Sequence, residues 1–449
     1  MSSMSGSTRQ IRVRFVTSFD EFRITDAPFA VPDKLGRKGL GDVVNHLLEA
    51  EEARSFDFAI NEVLVRMPLH KFMQTYRLST EEITTVEYFP AASLSDESEQ
   101  ADAPSWVGAL DVCAGVVAAG CYDGQIKLFT ADLQDIGSLQ AHQDPVRAVL
   151  AWEGEARYLA SASKDQTVNI WRDTSKKGKP QFTLAATLGG HVNSVESLGR
   201  STGLDSSTPS EWLYSGDWTG NVFIWDLTSI YGESSSGQGG GSKKRRGDKG
   251  AVAVGAVKPL HVIKAHSQSV SGICTSLSTQ FGAKVLTCSW DHSLKQWDMA
   301  RQDCVSTLVC SKAFTSIDCQ MTSAGLTPVI SSHPDGKVRL WDLREMSGES
   351  SNSAKATFGK AGQWVSQVRW LPDSSTLFAA SSYAGVVSLW DVRSSVPLAR
   401  SEVHGGKALC LHCLGGEGGE GATVLSGGSD CLLKATAVST AGTQEENDE

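Results

Sequence analysis

Four groups of side chains in this sequence have the types and spacing to do chemistry. His142 and His266 each precede an aspartate, Asp165 and Asp291, which in turn stands six residues before Trp171 and Trp297. Imidazole, carboxylate and the nearby Ser161 are the parts from which a general-base set is made. Cys410-Leu411-His412-Cys413 has the spacing of half a zinc site. Lys243, Lys244, Arg245 and Arg246 form a basic run of the kind that meets an import receptor or phosphate. Glu81, in Leu78-Ser79-Thr80-Glu81, reads by itself as a solvated carboxylate near a helix end.

Most of this chemistry is excluded on the sequence alone. There is no G-x-S-x-G, no P-loop, no paired set of metal ligands and no nucleophile beside a plausible base, so the chain is not expected to be an enzyme. The Cys-Leu-His-Cys segment has no second pair of ligands and reads as a strand, so zinc is rejected there. The ten cysteines fall singly, mostly in apolar runs, as free buried thiols do. A net charge of −10 argues against a surface that wraps nucleic acid. The basic run, with Lys249 beyond it, lies in GESSSGQGGGSKKRRGDKG, whose composition cannot pack a core. Residues 231–257 are therefore expected to be a disordered basic insertion carrying an import signal, a merely solvated run or a local RNA contact being the alternatives. No stretch approaches the roughly 20 apolar residues of a membrane span, and MSSMSGSTRQ lacks the apolar core of a secretory signal. A reducing compartment is expected, with no membrane partner and no small-molecule substrate.

The elements that hold these residues come as a repeat. GCYDGQIKLF, SASKDQTVNIW, SGDWTGNVFIWD, TCSWDHSLKQWD, SSHPDGKVRLWD and SSYAGVVSLWD share small residues, a turn and an alternating strand that ends in an aromatic. SGGSDCLLKAT keeps the Asp and loses the Trp. The seven ends, at 129, 171, 225, 297, 341, 390 and 436, lie 42 to 54 residues apart, except for one gap of 72 that holds the basic insertion. These units resemble WD40 repeats, and a mainly β, seven-bladed propeller over residues 106–440 follows. In that family the turn Asp orients a His on a neighbouring loop, which reaches a Ser or Thr and the Trp indole. The resemblance makes His142, Asp165, Trp171 and His266, Asp291, Trp297 structural networks. Thr219 and Ala384 stand where Asp is expected and blade five lacks the His, so those blades should depend more on packing. The seventh blade needs an outer strand, since an open one would expose an edge. The linker 90–105 is expected to help close it, the strand coming from the stretch Phe89 to Ser95, while residues 441–449 form an acidic tail.

Residues 10–89 follow another order. Alternation in Gln10 to Ser18 predicts a strand, Phe22 to Val31 a second, Gly39 to Ala50 an amphipathic helix, Phe56 to Val65 a strand, Pro68 to Tyr76 a short helix and Ile83 to Phe89 a last strand. This order resembles a ubiquitin-like β-grasp domain, an α+β unit. Where a modifier would end in Gly-Gly, the chain continues as Glu87-Tyr88-Phe89-Pro90-Ala91, so it is not conjugated.

The two domains in this order, with VNHLLEAEEARSFDFAINEVLVR, LSTEE and VEY, resemble the Ytm / WD-repeat-twelve family of ribosome assembly factors. The resemblance implies a nucleolar and nucleoplasmic factor of the pre-60S ribosomal particle. Its propeller would join a Pescadillo-type protein and an Erb/BOP-type propeller protein. Its ubiquitin-like domain would dock on Midasin, an AAA ATPase that removes the complex. Glu81 matches the family's carboxylate that completes a Mg2+ shell in Midasin's adhesion site; the chain itself would need no cofactor. A rival reading is a substrate receptor of a cullin ubiquitin ligase, through the WDxR boxes at Trp341 to Arg344 and Trp390 to Arg393.

Overall fold

The computed structural model describes residues 9–49, 53–175, 179–202, 211–232, 256–278, 282–299, 301–320, 328–342, 354–359, 362–372, 374–416 and 421–439.

In the N-terminal domain, alternation decides which face is buried. β1 (Gln10–Val16) turns Ile11, Val13 and Phe15 into the core. It pairs antiparallel with β2 (Phe29–Pro32) and parallel with β5 (Thr84–Pro90). β3 (Phe56–Ile60) and β4 (Val63–Leu64) complete a mixed sheet in the order β2-β1-β5-β3-β4. α1 (Arg37–Leu47) and α2 (Leu69–Thr75) pack their apolar stripes, including Leu40, Val44, Phe72 and Met73, against that sheet. This is a β-grasp arrangement.

Two expected elements differ. The stretch Phe22 to Val31 is not one strand, because only Phe29–Pro32 pairs with β1. Upstream, Phe22 is buried and the Tyr88 hydroxyl donates to its carbonyl, while Ile24 N–H donates to the same hydroxyl at 3.2 Å. A side chain satisfies that backbone in place of a ladder. The stretch 56–65 is a hairpin. Asn61 and Glu62 take φ of 49° and 63°, the left-handed pair of a tight two-residue turn.

The remainder forms seven sheets, each built on four antiparallel strands, the second extended by a short fifth strand. Their innermost strands, beginning at Val107, Val146, Val195, Val270, Ser316, Val365 and Ala408, touch in that order, and the seventh returns to the first. The result is a closed seven-bladed propeller. The blades stack through buried clusters that span neighbours, such as Ile330 and Phe358 of blade five with Val368 and Trp390 of blade six.

The outer strand of blade seven is β6 (Ser93–Asp102), which pairs antiparallel with Leu432–Ser439. The expected strand at 89–95 is corrected in register. Phe89 belongs to β5, opposite Asp57, because Val86 and Tyr88 on that strand are needed in the N-terminal core. Only Ala91 and Ala92 separate the two strands.

The insertion is also shorter than its composition suggested. Leu227–Gly232 is a short helix whose Tyr231 hydroxyl donates to Glu211 at 2.9 Å and accepts from the Trp152 indole at 2.9 Å. Ala256–Val257 adds in parallel to the outer strand of blade two. Both ends of 231–257 are therefore tied to blades by contacts that a compositional reading cannot see.

Candidate functional site

The histidines and aspartates of the repeats are consumed by the scaffold. In blade two, His142 Nδ1 lies 2.9 Å from Asp165 Oδ2, and its Nε2 lies 2.8 Å from Ser161 Oγ. The Trp171 indole donates to the same hydroxyl at 3.1 Å. Asp165 also accepts from the Thr167 backbone and hydroxyl. Burial alone would raise its pKa, but the hydrogen bonds from His142 and Thr167 outweigh it and hold the carboxyl at about 2. Blade four repeats the chain with His266, Asp291, Thr287 and Trp297. A serine whose hydroxyl is bracketed by an imidazole and an indole, buried inside a blade, has no path to a substrate.

Three further blades carry variants that the Asp-to-Trp spacing did not reveal. In blade three, Thr219 does occupy the turn position, but Asp217, two residues earlier, takes the Asp role. Its carboxylate meets His191 at 3.3 Å and accepts from Thr219 and Asn221, while Ser215 joins His191 to Trp225. Blade five lacks a loop His, as expected, yet His333 supplies one from the strand end. It donates from Nδ1 to the Ala313 carbonyl at 2.8 Å and meets Ser331, which accepts from Trp341. Blade seven joins His404, Asp430 and Ser426 although its Trp is gone. The expectation that blades three and five depend more on packing is therefore corrected, since each has a hydrogen-bonded chain of its own. The missed signal was position: His142, His191, His266 and His404 each stand four residues before the blade's first strand. Blade six has none, and its Trp390 indole donates to Ser388 instead.

Glu81 sits in a different setting. α2 ends as Arg77 adopts φ 53°, and Leu78 N–H donates back to the Met73 carbonyl at 2.9 Å. Leu78 packs on the core, the Ser79 hydroxyl accepts the Glu81 N–H at 3.3 Å, and the Thr80 hydroxyl accepts from Arg9. The turn is thus pinned at its root by an apolar residue and braced by two hydroxyls. Glu81 and Glu82 are both exposed just before β5 begins at Thr84. Among the described residues Glu81 makes no ion pair, and no group of three or more His, Cys, Asp or Glu side chains is placed to hold a metal. One free carboxylate on a braced turn can supply a single ligand to a metal held by another molecule. It cannot build a site alone.

The WDxR box at 390–393 is occupied within the molecule. Arg393 donates to Asp391 through Nε and Nη2, at 3.0 and 2.8 Å, and its guanidinium stacks on Phe89 of the N-terminal domain. Asp342 of the other box ends a blade-five strand, and Arg344 lies outside the described residues. So do Lys243, Lys244, Arg245, Arg246 and the tail from 440. Cys410 and Cys413 lie on an inner strand, buried, with thiols pushed up by desolvation, and all ten cysteines are free.

Comparison with known proteins gives the same division of the chain. The model of the NLE (NUC135) domain matches residues 11–73, and that of the WD domain, G-beta repeat, matches 133–172, 182–226, 257–298 and 353–391. The "Ribosome biogenesis protein WDR12 homolog" of Chlamydomonas reinhardtii is 32% identical, covering 95% of this chain and 97% of its own length. The homologues of that name in Oryza sativa subsp. japonica and Arabidopsis thaliana are 31% and 26% identical, each covering 96% of this chain. Most of blades one, five and seven lies outside the WD matches; blades one and seven have lost the Trp, whereas blade five keeps Trp341.

Proposed function

The chain belongs to the WDR12 family of ribosome biogenesis proteins, and on that premise we propose that it is a release-competent scaffold of the large-subunit precursor, gripped through Glu81. It acts in ribosome biogenesis as a non-enzymatic factor, in association with pre-ribosomal particles and at a nuclear or nucleolar site.

In this reading the propeller binds a Pescadillo-type protein and an Erb/BOP-type propeller protein, and the N-terminal domain docks on the Midasin ATPase. Glu81 offers its carboxylate to the Mg2+ of Midasin's adhesion site, a hard cation that takes oxygen ligands. The observation that carries the reading is the path from that residue into the scaffold. Glu81 precedes β5, the central strand of the N-terminal sheet, and β5 passes through Ala91 and Ala92 into β6, which closes the propeller. No flexible tether intervenes, so a load applied at Glu81 reaches the propeller through hydrogen-bonded strands. The run Lys243 to Arg246 serves as the import signal.

The test is the composition of what co-purifies with the tagged chain. Precursor RNA of the large subunit together with Pescadillo-type, Erb/BOP-type and Midasin proteins is expected. Recovery of a cullin adaptor, or of small-subunit precursors alone, would overturn the proposal. Replacing residues 243–246 with Ala should shift the protein to the cytoplasm without altering its thermal unfolding.

A further inference from the structure

The outward face of the N-terminal sheet, the side turned away from α1 and α2, is divided in two. On β3 and β5 it carries Asp57, Ala59, Glu87 and Phe89. Asp57 and Ala59 are only 2% and 1% exposed, and Phe89 lies under the guanidinium of Arg393. That half is acidic, and the propeller meets it with a cation whose charge is favoured by Asp391, Glu87 and Asp57.

On β1 the same face carries Arg12 and Arg14, both exposed, because Ile11, Val13 and Phe15 point the other way into the core. Their neighbours across the sheet are Ala30 of β2 and Thr85 of β5, and neither is charged. Arg9, just before the strand, donates to Thr80. Arg12 and Arg14 make no ion pair or side-chain hydrogen bond among the described residues. Two guanidinium groups that follow one another along an open strand, with no acceptor of their own, suit an acidic segment laid beside them.

The fold delivers such a segment to this place. The last strand, Leu432–Ser439, runs antiparallel to β6, and Ser439 pairs with Ser93. Because β6 leaves the N-terminal domain at Ala91 and Ala92, its antiparallel partner runs back toward that domain. Residues 440–449, which lie outside the described residues, read TAGTQEENDE. They hold Glu445, Glu446, Asp448 and Glu449 and no cation. Arg14 stands beside Thr85, and the chain from Thr85 to Ser93 spans at most about 29 Å. Residues 440–449 extend to about 36 Å, so their carboxylates reach the arginines.

We propose that Arg12 and Arg14 hold the acidic segment Glu445 to Glu449 of the same chain, which makes a second tie between the propeller and the N-terminal domain. It occupies the half of the sheet face that Arg393 leaves open. Single exposed ion pairs are weak in water. Here several carboxylates share two guanidinium groups, and the short tether presents them at about millimolar effective concentration. The contact is populated at low salt and screened at high salt. It does not depend on the role proposed for Glu81.

The test uses the full chain and phenylglyoxal, a dicarbonyl that modifies accessible arginines, with each site followed by peptide mass spectrometry. The comparison protein combines Glu445→Gln, Glu446→Gln, Asp448→Asn and Glu449→Gln. At about 20 mM salt Arg12 and Arg14 of the wild type should react several-fold more slowly than those of the variant, and the difference should vanish at about 0.5 M salt. Arg23, exposed on the same domain, and Arg301, exposed on blade four, should react alike in both proteins. Equal reactivity of Arg12 and Arg14 in the two proteins, as when the acids seek Lys243 to Arg246 instead, would overturn the proposal. A rise at Arg23 as large as that at Arg14, which marks a general effect of charge, would overturn it, as would protection that survives high salt. Reciprocally, Arg12→Gln combined with Arg14→Gln should speed cleavage after Glu446 by a glutamate-specific protease, and unchanged cleavage would count against the tie.

Discussion

The guanidinium of Arg393, at the end of a blade-six strand, lies 4.4 Å from the centre of the Phe89 ring in the last strand of the N-terminal domain. The same residue's carbonyl accepts the Leu64 N–H at 3.2 Å. One side chain thus holds the fork of a buried carboxylate, Asp391, and the surface of a second domain. Arg393→Ala should uncouple the domains and leave Asp391 with a lost charged partner, at a cost of about 1.5 to 3 kcal/mol. Faster proteolysis between residues 90 and 93, with a lowered melting temperature, is the expected result. Arg393→Lys should recover little of either, because an ammonium cannot make the two-pronged contact. An unchanged cleavage pattern would show that the domains are fixed by other contacts.

The Asp–His–Ser–Trp chains predict unequal penalties within blade three. Asp217→Ala removes the partner of His191, Thr219 and Asn221 at once and leaves buried donors unsatisfied, which should cost about 2 kcal/mol or more. Thr219→Ala removes one hydroxyl and should cost less than half as much. Asp165→Ala in blade two should resemble Asp217→Ala. Thermal melts of the three variants check the order, and a Thr219 variant as damaged as the Asp217 variant would contradict it.

That comparison also marks what the sequence could say. The period of the repeats, the alternation in β1 and the apolar face of α1 were legible because each rests on local spacing. The substitution of Asp217 for the residue at 219 was not, since a carboxylate two residues back reaches the same imidazole only through the geometry of the turn. His333 was hidden for a like reason, its partner being a backbone carbonyl, which no sequence pattern marks. The closing strand was placed slightly too early because Phe89 and Leu94 suit a strand equally well. The competing demand of the N-terminal core for Val86 and Tyr88 decided the matter. The Arg393–Phe89 contact joins residues some 300 positions apart and left no local trace.

Acid should destabilise the propeller in two stages. His333 is buried, and desolvation together with Arg339 lowers its pKa from 6.5 to about 4. Between those values the unfolded chain binds a proton that the folded chain does not, so stability rises with pH there. The contribution is complete above pH 6.5 and is lost as pH falls toward 4. Asp165 and Asp217, held at about 2 against 3.8, add a second loss as pH falls from 3.8 toward 2. Urea unfolding from pH 7 to pH 4.5 should show declining stability, and His333→Gln should flatten that slope while lowering the plateau. A slope unaffected by the substitution would place its origin in other groups.

The last prediction concerns the carboxylate on which release depends in the proposed function. Glu81 is exposed, its turn is held by Leu78 and the Ser79 hydroxyl, and its side chain is not used by the fold. Glu81→Ala and Glu81→Gln should therefore leave thermal unfolding unchanged, within the roughly 0.5 kcal/mol typical of surface sites. Both should abolish binding to the Midasin adhesion domain, since an amide is a poor ligand for a hard cation. Glu81→Asp keeps the charge but draws the oxygen back by about one C–C bond, roughly 1.5 Å. Hard-cation ligand distances vary by far less than that, so binding should weaken sharply. The propeller contacts are remote from the turn, so each variant should still enter pre-ribosomes and accumulate there, acting dominantly over the wild type. Binding of the full chain to the adhesion domain, measured with Mg2+ and then with a chelator, separates the possibilities. Binding by Glu81→Ala equal to wild type, or binding indifferent to the chelator, would exclude a metal bridge. The Glu82 carboxylate, one position along and also exposed, is the internal control, and Glu82→Ala should bind as the wild type does.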